Sequence, residues 1–175
     1  KKIKDKYILY AGRISEEKGV ENLIHSFESS NLEKFKLKIV GDGPKYDYLK
    51  SKYSNESIEF LGLLSNHETL NLISYSECVV TATKLLEGQP TLLCEASILG
   101  IPSIFPKTGG IAEFFPEDYK LSFNQFDYED LTEKLNLLED TKYLINVGNE
   151  NKKYIQDYLN EKKLIADIES IVDEW

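Results

Sequence analysis

Read for hydrophobic position alone, the chain alternates between short apolar runs closed by glycine and longer stretches with a helical repeat. Tyr7–Gly12 (YILYAG) is a continuous apolar run, the mark of a strand buried on both faces. From Lys18 to Ser29, the residues Val20, Leu23, Ile24 and Phe27 fall at the spacing of an amphipathic helix. Leu37–Gly41 (LKIVG) predicts a second strand, and Pro44 opens a second helix where its missing N–H costs nothing. Ile58–Gly62 is a third strand, and Ser65 with Glu68 makes a capping box ahead of a helix carrying Leu70, Leu72 and Ile73. Glu77–Thr83 (ECVVTAT) predicts a fourth strand, followed by a helix that begins at Pro90, runs to Leu99 and ends at Gly100. Pro102–Phe105 is a fifth strand, Thr108–Glu113 a Gly-Gly turn opening a short helix, and Tyr119–Phe123 a sixth strand, with helix thereafter. In the last segment, Asn160 to Trp175, the residues Leu164, Ile168, Ile171, Val172 and Trp175 share one stripe. Such a helix packs on this domain or crosses to a neighbouring one.

Repeated β–α alternation without a linker or low-complexity stretch predicts an α/β fold: a doubly wound parallel sheet of about six strands, Rossmann-like, forming one domain over residues 1–175. The length of 175 residues fits one core, and 41% hydrophobic with 29% charged residues is globular. No apolar run approaches the ~20 residues of a spanning helix. The charged start, Lys1 to Lys6, has no signal-peptide pattern, so the expected location is cytoplasmic. Methionine is absent even at position 1, which leads us to expect an excised domain whose partner half lies elsewhere. Cys78 and Cys94 sit in apolar surroundings and read as buried thiols; His25 and His67 are isolated, without metal-ligand spacing.

The net charge of −9 argues against non-specific nucleic-acid binding, so an anionic ligand has to be held by a local constellation. Composition sharpens this. Of 21 basic residues one is arginine, Arg13, and it follows the first strand directly. Arginine offers a planar, bidentate cation that lysine cannot.

Ligands of open α/β sheets sit at the carboxyl ends of the strands. There the chain places Gly12-Arg13, Gly41-Asp42-Gly43, Leu61-Gly62, Thr83 to Pro90, and Lys107 to Gly110. In the first loop Arg13 and Lys18 are spaced to grip two neighbouring phosphates; the competing reading is a surface arginine paired with Glu16 or Glu17. The loop lacks the GxxxxGK[ST] spacing, and Gly41-Asp42-Gly43 is not GxGxxG, which disfavours a nicotinamide-dependent oxidoreductase. Glu87 lies in the fourth loop and Glu95 a turn inside the helix begun by Pro90. Such a pair can accept hydrogen bonds from sugar hydroxyls, with the free amides of Thr91 and Leu92 facing an anion. Alternatively both glutamates merely favour the positive end of the helix dipole.

Together AGRISEEKG, LKIVGDGP, IEFLG, LEGQPTLLCEA and GIPSIFPKTGGIAEF, in that order from about residue 7 to residue 113, resemble the C-terminal half of retaining glycosyltransferases of family 4 (group 1). The resemblance implies the GT-B architecture, two facing Rossmann-like domains, of which this chain is the donor-binding one. It implies that Arg13 and Lys18 bind the donor's diphosphate, that Glu87 contacts hydroxyls of the donor sugar and that Glu95 holds the ribose. The backbone at Phe60 and Leu61 would face the base, while Gly12, Gly109 and Gly110 let loops close round the phosphates.

The sequence departs from the family at Glu87-Gly88-Gln89-Pro90, where Glu-Gly-Phe-Gly is usual, a variant associated with surface-polysaccharide synthesis. It departs again at Thr83-Lys84, where a Pro-Ser pair is frequent; Lys84 reads as a further phosphate contact or as a solvated lysine. The expected donor is a UDP- or GDP-linked sugar, the acceptor a glycan, lipid or small molecule met through the N-terminal half, and no metal or other cofactor is expected. A sugar-nucleotide epimerase of the same architecture and a non-catalytic nucleotide-binding or regulatory module are the alternatives.

Overall fold

Alternate residues of the central strands point to opposite faces, and both sets are apolar. In β1 (Lys6–Ala11), Ile8 and Tyr10 enter one core while Tyr7 and Leu9 enter the other; in β4 (Cys78–Val80), Cys78 and Val80 oppose Val79 in the same way. A strand buried on both sides needs helices on both faces, and the computed structural model, which describes residues 6–161, has that arrangement. The other strands are β2 (Phe35–Val40), β3 (Ile58–Gly62), β5 (Ser103–Lys107) and β6 (Ser122–Asn124). All pair in parallel, in the order β3-β2-β1-β4-β5-β6. The helices α1 (Val20–Glu28), α2 (Tyr46–Tyr53) and α5 (Tyr128–Asn136) cover one face. Across the sheet, α3 (Asn66–Tyr75) and α4 (Thr91–Leu99) cover the other. Helix α6 (Thr141–Tyr158) packs along α4, while its Leu144 and Val147 enter the first core.

Several local signals act as expected. Ser65 and Glu68 form the complete capping box of α3, and Gly100 closes α4 in the left-handed conformation. Cys78 and Cys94 are free and buried. Other boundaries move, for identifiable reasons. The first helix starts at Val20 rather than Lys18, because Glu16–Lys18 forms a separate 3-10 turn ended by Gly19 at φ 67°. Pro90 is the residue before α4 rather than its first turn. The sixth strand is Ser122–Asn124 instead of Tyr119–Phe123: the Tyr119 ring stacks on Phe105, and its hydroxyl donates to Ser103 O and accepts from Ser103 N, holding its backbone in a turn. The amphipathic stripe expected at 164–175 lies outside the described residues.

The fourth strand is the largest departure and the most consequential. Instead of running from Glu77 to Thr83 it pairs with β1 only at Ile8↔Cys78 and Leu9↔Val79. Beyond that register the two strands part. Gly12 N still donates to Val40 O on the β2 side (3.0 Å), whereas Thr81 N donates to Ile104 O on the β5 side (2.9 Å). The sheet therefore opens at the carboxyl end between β1 and β4, where the winding direction reverses.

Candidate functional site

A crevice of about 190 Å³ occupies this opening. Its walls carry six of the residues singled out in the sequence: Gly12, Arg13 and Lys18 from the segment after β1, Glu87 from the β4–α4 loop, and Thr91 and Leu92 at the start of α4. Residues 69 positions apart meet here, since Lys18 Nζ donates to Glu87 Oε1 at 2.6 Å, each side chain 29% exposed. Thr83 Oγ1 donates to the same oxygen at 2.9 Å. Burial pushes the Glu87 carboxyl upward, yet the hydrogen bonds from Lys18 and Thr83, with the Lys18 charge, outweigh it and leave the pKa below the ordinary glutamate value.

Arg13 is placed differently. Its carbonyl accepts the Tyr10 hydroxyl at 2.7 Å, which fixes the loop, while its guanidinium has no carboxylate within ion-pair distance among the described residues. Among the described residues neither Glu16 nor Glu17 forms an ion pair with it: Glu16 is taken by Lys84 (2.9 Å) and Lys45 (3.1 Å), while the Glu17 carboxyl, held below the ordinary value first by its own backbone N–H and the Ser15 hydroxyl, feels the Arg13 charge only through space. An arginine at a crevice wall whose five donors have no partner among the described residues is a ready anion receptor.

The remaining expectations divide. The Lys84 amine bonds Glu16 instead of lining the crevice, and its backbone N–H donates to Glu17 O at 2.8 Å, so Lys84 ties the β4–α4 loop to the β1–α1 loop. The Thr91 amide is not free as expected: it donates to Gln89 O at 3.1 Å, closing the turn before α4. The Leu92 amide has no protein acceptor among the described residues. Gly109 and Gly110 lie behind Glu87 rather than on the wall; Gly110 N donates to Glu87 O at 2.9 Å, and Gly109, at φ 54°, has no space for a Cβ against the Glu87 backbone. Glu95 sits in the second turn of α4 outside the crevice lining, with Asn66 Nδ2 at 3.5 Å from its Oε1. Phe60 is buried edge-on against Tyr46, and Leu61 is exposed at the end of β3; neither lines the crevice.

Sequence reasoning passed over Tyr10 and Thr81, which also line the crevice, and Gln125 behind it. Gln125 Nε2 donates to Thr83 O and Leu85 O, both at 3.3 Å, a support with no local sequence signal. Among the described residues no helix is long and apolar enough to cross a membrane.

A crevice at the reversal point of a doubly wound parallel sheet, rimmed by an uncommitted arginine and a half-buried Lys–Glu pair, defines a Rossmann-like ligand-binding domain. Comparison with known proteins narrows the class. The family "Glycosyl transferases group 1" matches residues 1–164, and the chain belongs to it. It is similar to sulfoquinovosyl transferase SQD2 of Arabidopsis thaliana, 26% identical over 156 residues, which cover 86% of this chain and 30% of that protein. An uncharacterized glycosyltransferase of Methanocaldococcus jannaschii is 31% identical over 120 residues, covering 65% of this chain and 30% of that protein. The chain thus spans under a third of the length of these relatives. Among solved structures, the catalytic domain of cholesterol-alpha-glucosyltransferase from Helicobacter pylori superposes with a TM-score of 0.78 at 23% identity, over 89% of this chain and 99% of that one. HepE of Anabaena, solved in complex with UDP and glucose, superposes at 0.81 with 17% identity, over 98% of this chain and 49% of that one. Both likenesses establish the fold, one Rossmann-like unit of the GT-B architecture.

Proposed function

We propose that this chain is the donor-binding half of a glycosyltransferase that moves a sugar from a UDP- or GDP-linked donor to an acceptor, with retention at the anomeric carbon. The observation that carries the reading is the single crevice on which Arg13, Lys18 and Glu87 converge. Arg13 is free to take one phosphate. Lys18 spends one of its three N–H donors on Glu87 and keeps two for the other phosphate. As the bond to the sugar breaks, negative charge grows on the departing diphosphate; preplaced cations and the Leu92 amide stabilise it without rearrangement. These cations do what a divalent metal would otherwise do, so activity persists in chelator. Glu87 takes a hydroxyl of the donor sugar and Glu95 the ribose, with the base beside the Phe60–Leu61 backbone. Gly109 and Gly110 serve by seating Glu87. The acceptor, a glycan, lipid or small molecule, is met through a facing N-terminal domain, and surface-polysaccharide or glycoconjugate synthesis in the cytoplasm is the setting.

The test is thermal protection and calorimetry with UDP, GDP and their sugars. Protection by one of these nucleotides is expected, with Arg13→Ala weakening it by about 1.5–3 kcal/mol, the range for hydrogen bonds to charged groups. No protection by any of them at millimolar concentration sinks the reading.

A further inference from the structure

Glu87 is held asymmetrically. Both of its protein partners, Lys18 Nζ and Thr83 Oγ1, bond Oε1, and Oε2 has no partner among the described residues. The Thr83 hydroxyl has one proton, and its direction is set by what surrounds it. Leu85 N donates to Thr83 Oγ1 at 3.2 Å, so the oxygen acts as acceptor on that side and its proton points to the carboxylate. Thr83 is itself 5% exposed and anchored, its carbonyl taken by Gln125 Nε2. The Leu85 carbonyl next in line accepts from Thr108 Oγ1 at 3.1 Å as well as from Gln125. A side chain with so few freedoms imposes its geometry on a flexible glutamate, which otherwise has three torsions to settle.

We infer that Thr83 is a positioning residue: by fixing Glu87 Oε1 inward it presents Oε2 to the crevice as a single acceptor for a hydroxyl of the ligand's sugar. Lys18 alone does not do this, since an ammonium on a four-carbon stem follows a carboxylate through many orientations. The inference rests on the donor-binding reading above and deepens it, because it separates the sugar end of the ligand from the diphosphate end. Thr83 then acts on recognition of the sugar and leaves recognition of the nucleotide to Arg13, Lys18 and Glu95.

The experiment compares UDP with UDP-glucose, and GDP with GDP-mannose, by calorimetry on the wild type, Thr83→Val and Thr83→Ser. Val keeps the shape and loses the hydroxyl; Ser keeps the hydroxyl. The added affinity for a nucleotide sugar over its bare nucleotide is expected to fall about tenfold in Thr83→Val, the size of one hydrogen bond to a charged group, and to return in Thr83→Ser. Bare-nucleotide affinity falls less than nucleotide-sugar affinity, since Arg13 and Lys18 keep their own donors and only the Thr83 hold on the shared Glu87 oxygen is lost. A parallel carbon-13 titration of the Glu87 carboxyl, in surroundings that include Lys18, Arg13 and Tyr10, should show its pKa rising in Thr83→Val and recovering in Thr83→Ser. An unchanged ratio of sugar to bare-nucleotide affinity in a folded Thr83→Val overturns the inference alone. If Thr83→Val does not fold, a loss in Thr83→Ser as large as that from Glu87→Gln overturns it instead. Wild-type protein that binds no nucleotide removes the donor-binding reading and this inference with it.

Discussion

Two ionic clusters join the loop after β1 to the loop after β4, and they are built to different ends. In one, Glu16 bridges Lys84 and Lys45 on the outside of the molecule, its own side chain 63% exposed. In the other, Lys18 meets Glu87 at the crevice, both side chains half as exposed and a neutral hydroxyl completing the set. Water and salt screen the first, which gains little beyond a preferred loop position. The second is sheltered, hydrogen-bonded on one side and open on the other. Similar residue types thus give a strap in one place and a receptor in the other, and burial makes the difference.

The largest disruption of the inner cluster comes from behind it. Gly109→Val drives a branched side chain into the Glu87 backbone at a left-handed position, with an expected cost of about 2–4 kcal/mol in denaturant unfolding and loss of nucleotide protection. Next is Glu87→Gln, which leaves Lys18 without its counter-charge; about 1–2 kcal/mol of stability should go, read from the urea midpoint. The same pair has a pH signature. The folded pKa of Glu87 lies below its unfolded value, so its stabilisation is complete above about pH 5 and drains away as pH falls past the ordinary ~4.3 toward the folded pKa. The difference between wild type and Glu87→Gln should shrink over that window in urea titrations run pH by pH. Smallest is Glu16→Gln, where no measurable change in midpoint is expected, and where added salt should leave the mutant and wild type alike. A cost for Glu16→Gln equal to that of Glu87→Gln would erase the distinction between strap and receptor.

The fold was legible because hydrophobic period carries it. Runs such as Tyr7–Ala11 and helices with a stripe like Val20, Leu23, Ile24 and Phe27 need no tertiary information to be placed. Legibility failed where long-range contacts override the local pattern. Tyr119 looks like strand because it is apolar, yet packing on Phe105 and Phe115 pulls it into a turn. Glu77–Thr83 reads as one strand, but where β4 leaves β1 is decided by the neighbouring strand's reach. At the site, the loops and their charges were readable one at a time, and Arg13 stood out as a lone arginine. Which cation meets which carboxylate was not, because a pairing across 69 residues depends on sheet register and side-chain torsions. Lys84 was read as a phosphate contact or a solvated lysine, whereas it is a loop tie. Gln125, with no motif around it, was invisible.

The crevice straddles the junction of the two βαβ halves, drawing one wall from residues 10–18 and the other from residues 81–93 with Ile111. Neither half owns it, so it exists only while both are docked edge to edge. Occupancy is consequently coupled to the whole folding equilibrium: a ligand at a hundred times its Kd adds about 2.7 kcal/mol against global unfolding. Cellular abundance of the chain should therefore rise and fall with the supply of whatever fills that seam.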